Sequence, residues 1–130
     1  MSFYSYRFSV PANTPENNPV VFDCPINEKW ITEIWVGFED GCAWMVKVRV
    51  NYGIRRYFPN NPGEWIYGND IFVPIREIIQ LPKKWESIKV IACSPGAKYE
   101  HDIIIYIWTS EEEPLPLEVA MNRLVKGLGL

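Results

Sequence analysis

The chain has 130 residues and a mass of 15.2 kDa, with 13 Lys and Arg against 16 Asp and Glu, a net charge of −3 and a pI near 5.2. That length suits one domain with a continuous core, and 48% apolar against 22% charged residues exclude wholesale disorder. The acidic balance argues against bulk binding to nucleic acid or an anionic membrane, and no apolar run approaches the roughly 20 residues of a membrane helix.

The first strand is expected where Tyr4, Tyr6, Phe8 and Val10 alternate with Ser5, Arg7 and Ser9. The preceding Met1-Ser2-Phe3 lacks the basic start and apolar stretch of a signal peptide, so the chain is not expected to be secreted by one. A polar loop with three prolines, Pro11 to Pro19, cannot join a ladder. A second strand, Val20 to Cys24, should stop at Pro25.

Trp30 to Phe38 reads as a long strand with Trp30, Thr32, Ile34, Val36 and Phe38 on one face and Ile31, Glu33 and Trp35 on the other. Glu39-Asp40-Gly41-Cys42 is then a hairpin turn, because Asp-Gly supplies positive φ. The return strand sets Trp44, Val46, Val48 and Val50 inward, and a second turn at Asn51-Tyr52-Gly53 leads into Ile54 to Phe58. These three strands are expected to form an antiparallel meander. Beyond the Pro59-to-Gly63 loop, Asp70 to Val73 forms a short strand ended by Pro74, and Ile75 to Leu81 is either a helical turn or an extended connector.

Ile88 to Ala92 and His101 to Trp108 are the last two strands. The final one has Ile103, Ile105 and Ile107 inward, yet Ile104, Tyr106 and Trp108 make its other face apolar too. A strand covered on both sides lies centrally or contacts a partner. Residues 111–116 form an acidic, proline-stiffened linker. Residues 117–130 then read as an amphipathic helix, Pro116 preceding its start and Gly127 past its last turn. Its stripe of Leu117, Ala120, Met121, Leu124, Val125 and Leu128 needs cover, from this domain or another chain.

The aromatic fraction of 15% and the eleven prolines agree with this layout. The expected fold is all-β: an antiparallel two-sheet sandwich over residues 1–110, jelly-roll-like, of about eight strands, with a short C-terminal helix.

Cys24, Cys42 and Cys93 stand too far apart for a zinc motif and read as small buried hydrophobes in a reducing compartment, a Cys24–Cys93 bridge remaining open. No cofactor is expected. His101 opens the last strand with no nucleophile elbow, metal helix or phosphate loop to serve, so it reads as a hydrogen-bonded structural residue. Glu39 with Asp40, and Asp70 with Asp102, read as turn and strand-end groups rather than catalytic pairs.

Arg49, Arg55 and Arg56 flank the second turn with Tyr52 and Tyr57 and are candidate polar or ligand contacts for phosphate, a single nucleic-acid strand or a facing acidic residue. Trp35, Trp65, Trp85 and Trp108, with Tyr106, fall outward or in loops and are candidates for a protein interface or for stacking on sugar rings; Trp30 and Trp44 should be core. Leu117, Met121, Leu124, Val125 and Leu128 are interface candidates in the tail.

The Pro-Ala-Asn-Thr-Pro loop, the run Trp30-Ile31-Thr32-Glu33-Ile34-Trp35-Val36, the Gly41 turn, the Pro62-Gly63-Glu64-Trp65 loop and the closing His101-to-Trp108 strand resemble the small jelly-roll structural proteins of viruses and phages. The resemblance implies a non-enzymatic role in capsid decoration or vertex and tail parts, self-association, often as trimers, and residence in a virion or host cytoplasm. The alternative expectation is a carbohydrate-binding sandwich that uses exposed tryptophans.

Overall fold

A computed structural model describes residues 2–53, 56–82 and 86–114. In chain order its strands are β1 (Ser2–Val10), β2 (Val20–Ile26), β3 (Trp30–Phe38), β4 (Lys47–Gly53), β5 (Arg56–Phe58), β6 (Ile66–Tyr67), β7 (Ile71–Ile75), β8 (Ile79–Gln80), β9 (Glu86–Cys93) and β10 (His101–Ser110). They form two antiparallel sheets. The first has the order β1-β10-β3-β7, with β8 also pairing β3; the second has the order β2-β9-β4-β5, with β6 also pairing β4. The architecture is sandwich-like, and the described residues contain no helix.

The inner faces of both sheets build one core. Ile34, Val36, Ile103, Ile105 and Ile107 come from the first sheet and Ile26, Val48, Val50, Ile88 and Val90 from the second, all without solvent exposure. Removing such branched side chains from water contributes roughly 1.5–3 kcal/mol each, which selects the register of every strand.

The expected hairpin between β3 and β4 does not form, and with it the meander is lost. The edges of β3 are taken by β10 on one side and by β7 and β8 on the other, and those of β4 by β9 and by β5 with β6. The Asp-Gly turn does reverse the chain: Gly41 has φ 102°, and the Cys42 N–H donates to the Glu39 carbonyl at 3.3 Å. Ala43 (φ 47°) and Trp44 (φ 64°) then adopt left-handed backbone, which breaks the extended run and carries the chain to the other sheet. Trp44 is consequently 58% exposed between buried Cys42 and Val46, not a core residue as its alternation implied. The Asn69 Oδ1 holds this crossover by accepting from the Gly41 and Ala43 N–H groups at 2.9 and 2.8 Å. The second turn does make a hairpin, β4 pairing β5.

In β3 the alternation is interrupted. Trp108 of β10 pairs with Glu33 and Thr109 with Ile31, so Thr32 is bulged, its hydroxyl donating to the Trp108 carbonyl at 3.2 Å. The bulge buries Ile31 completely and leaves Trp30 only half-buried, contrary to strict alternation.

Prolines end neither β2 nor β7. Both are edge strands, and the Pro25 carbonyl faces away from β9 to accept the Tyr6 hydroxyl at 2.6 Å, so the missing N–H leaves no rung unmade. Residues 75–81 hold no helical turn: Ile75 ends β7, an irregular stretch follows, and Ile79–Gln80 form β8. The Pro-rich loop after β1 is pinned to the turn after β9: the Ser94 hydroxyl donates to the Pro11 carbonyl (2.6 Å) and accepts from the Thr14 N–H (3.0 Å). The three cysteines are free and buried, and Cys24 pairs with Ile88 while Cys93 ends the same neighbouring strand, so no bridge joins them.

Candidate functional site

Because Ile103, Ile105 and Ile107 point into the core, the pleat turns Ile104, Tyr106 and Trp108 outward. The register then sets Trp108 beside Phe3 of β1, Tyr106 beside Trp35 of β3, and Ile104 beside Gly37, which faces Phe72 of β7. Five rings therefore meet on the outer face of the first sheet. Phe72 stacks on Tyr106 with centroids 5.3 Å apart and planes 12° off parallel, and Trp35 meets Trp108 edge-on at 5.4 Å. Phe3 touches both Tyr106 (5.3 Å) and Trp108 (5.0 Å).

Gly37 is the device that lets Phe72 lie flat. A Cβ there would stand 2.4 Å from the Phe72 ring. The rings partly cover one another, leaving Trp35, Tyr106 and Trp108 half-buried, while Phe3 and Phe72 remain 52% and 39% exposed. The Trp35 Nε1–H is buried with no acceptor, the single such side-chain atom among the described residues. Leaving a donor so costs roughly 1–3 kcal/mol. Ion pairs border the aromatic patch: Arg7 with Asp102 at 3.6 Å toward one end, and Arg76 with Glu33 at 2.9 Å toward the other. An aromatic centre inside a charged rim is the anatomy of a protein interface.

Among the expected interface residues, Trp35, Tyr106 and Trp108 are thus brought together. Trp65 is not one of them. It is 8% exposed, its Nε1–H donates to Glu16 at 3.0 Å, and the Arg49 guanidinium lies 4.0 Å above its ring. Trp85, Arg55, Leu117, Met121, Leu124, Val125 and Leu128, with the proposed tail helix, lie outside the described residues. Phe3 and Phe72 were not among the residues singled out from sequence. Phe3 was legible as the outward partner of Tyr4; Phe72 required the β3–β7 register.

Arg49 and Arg56 sit at a second feature, an open cavity of about 530 Å³ lined also by Tyr52, Tyr57, Asn60 and Asn61. Arg49 is held by Trp65, by Tyr57 at 5.9 Å and by its Nε–H donating to the Glu64 carbonyl at 3.3 Å.

His101 Nδ1 lies 3.3 Å from Glu39, which also accepts the Asp102 N–H at 3.0 Å. That arrangement fixes the mouth of β10. The nearby Cys42 thiol is pushed up to about 11, mainly by burial and then by the charge of Glu39, so it stays protonated at neutral pH. Among the described residues no group of three or more His, Cys, Asp or Glu side chains could hold a metal, and no helix is long and apolar enough to cross a membrane.

No family model matches the chain, and no curated protein matches it.

Proposed function

We propose that this protein is a non-enzymatic structural component that self-associates through the outer face of its first sheet and attaches to a larger assembly. The observation that carries this reading is the five-ring cluster of Phe3, Trp35, Phe72, Tyr106 and Trp108 within its rim of ion pairs. Packing a second copy against it would remove the remaining exposed ring area from water, at roughly 25 cal/mol per Å².

The strand order supports a finer assignment of the sandwich as a jelly roll. Setting aside the two-residue β6 and β8, eight strands remain, and in chain order the first pairs with the last, the second with the seventh, the third with the sixth and the fourth with the fifth. That is the pairing of one long ribbon rolled into two sheets. Together with the resemblance to jelly-roll proteins of virus and phage particles, it favours a particle component such as a capsid decoration, with a trimer as the proposed copy number.

The test is sedimentation velocity on Phe3→Asp and Phe72→Asp, which place a charge at the two most exposed rings. The mass should fall to that of one chain, while Val21→Asp, at a 57% exposed position of β2 in the other sheet, leaves the wild-type mass unchanged. Unchanged mass in a Phe3→Asp/Phe72→Asp double variant that still folds would overturn the proposal.

A carbohydrate-binding reading draws on a different pair. Trp44 and Tyr67, 58% and 49% exposed, meet edge-to-face at 6.1 Å beside the crossover. It predicts that Trp44→Ala abolishes retention on a polysaccharide column without altering the oligomeric mass.

A further inference from the structure

The cavity between the β4–β5 hairpin and the loop that follows β5 carries charge and shape that the assembly reading does not use. The chain is acidic overall, yet no carboxylate is among the described residues that line this cavity; Arg49 and Arg56 are. Glu77 lines an adjoining recess that shares Tyr52, Arg56 and Asn60, and it makes no ion pair with Arg56.

Arg49 is pre-set for a ligand. Its guanidinium lies over the Trp65 ring and its Nε–H is taken by the Glu64 carbonyl, while its two terminal nitrogens have no acceptor among the described residues. A guanidinium held in this way presents a planar fork that matches an oxyanion in two-point contact. The Asn60 Nδ2 is committed to the Tyr57 carbonyl (2.9 Å) and the Tyr52 hydroxyl (3.4 Å), which leaves its Oδ1 as an acceptor. Asn61 adds an amide with both donor and acceptor capacity. Tyr57, Pro59 and Pro62 supply apolar walls.

An oxyanion alone would use the arginines and leave the acceptor and the walls idle. A flat aromatic acid would use the walls but not the amides. The set as a whole fits a ring that has an oxyanion, several hydroxyls and an apolar face, and the volume falls within the usual range for small-ligand pockets, roughly 300–1,000 Å³. We propose that the Arg49–Arg56 cavity binds an acidic saccharide unit, its carboxylate or sulfate on the arginine forks and its hydroxyls on Asn60 and Asn61. This site is independent of the aromatic face.

The test is calorimetric titration of the full chain with a short oligogalacturonate, a sulfated oligosaccharide of equal length, neutral maltotetraose and inorganic phosphate. One or both acidic saccharides should bind saturably, and which of them binds more tightly identifies the oxyanion. Maltotetraose and phosphate should each bind at least about tenfold more weakly, the worth of a charge-assisted contact or of the sugar contacts. Arg56→Gln should weaken acidic-saccharide binding by about tenfold, and Arg49→Gln by as much or more. Lys98→Gln, the same charge change at an exposed site on another loop, should leave it unchanged. Arg56 is exposed and outside the core, so its variant keeps the test independent of folding. Equal affinity for maltotetraose, phosphate as tight as the saccharides, no saturable saccharide binding, or an unaltered constant in Arg56→Gln would each overturn the proposal.

Discussion

The two sheets present similar inner faces and opposite outer ones. Inside, both contribute branched aliphatic side chains at alternate positions. Outside, the first sheet carries interlocking rings across β1, β10, β3 and β7, whereas the second carries the charged Asp23, Lys89, Lys47 and Arg49 beside exposed Val21, with Lys89 paired to Asp23 and Lys47 to Glu16. Surface ion pairs of that kind contribute about 0–1 kcal/mol and favour no partner. The clustered rings of the first sheet keep apolar area, on Phe3 and Phe72 above all, that a covering surface would remove from water. On the proposed reading, the first of these faces is the one that meets another copy.

The largest expected effect tests the similarity of the inner faces. Ile105→Ala in the first sheet and Ile88→Ala in the second should each cost about 2–5 kcal/mol by urea denaturation, because both leave a cavity in the same core. A marked difference between them would mean that the sheets do not share that core equally.

A smaller effect sharpens the contrast outside. Gly37→Ala drives a methyl into the Phe72 ring, which must lift off Tyr106. Since Phe72 is partly exposed and able to move, the cost should be about 1 kcal/mol, the low end for overpacking. Loss of self-association should accompany it, and a variant that associates as wild type would argue against the flat ring as part of the contact.

The third prediction concerns the seam between the sheets. Glu28, in the β2–β3 connection, accepts the Tyr4 hydroxyl of β1 at 2.6 Å. Burial alone would raise its pKa, but hydrogen bonds from Tyr4, Ser2, its own backbone and Thr109 together hold it below the usual carboxylate value. A lowered folded-state pKa contributes stability that is present above the unfolded value and lost as pH falls through the folded one. Urea midpoints measured down an acid series should therefore fall more steeply for wild type than for Glu28→Gln; parallel slopes would remove Glu28 from the account.

Much of this was readable from the residues. Alternation assigned the buried faces of β1, β4 and β10, and it marked β10 as apolar on both sides, which is the origin of the aromatic patch. Pairing was less legible. Asp40-Gly41 states that the chain turns but not whether the next strand stays in the same sheet, and two left-handed residues with the Asn69 bridge decide that it does not. The Thr32 bulge depends on Trp108, 76 residues further along the chain, so local pattern misassigned Ile31 and Trp30. Trp65 stood in a Pro-Gly loop and read as free, whereas Glu16 and Arg49, distant in sequence, close over it. The arginine cavity was half visible, since Arg49 and Arg56 flank a turn, but the loop amides of Asn60 and Asn61 that complete it come together only through the fold.

The most direct measurement is the mass of the unmodified chain by light scattering over a wide concentration range. A species of several times 15.2 kDa, persisting on dilution until it dissociates cooperatively, is the predicted result. A particle of 15.2 kDa at every concentration would mean that the ringed face of the first sheet meets only water, and would contradict the account.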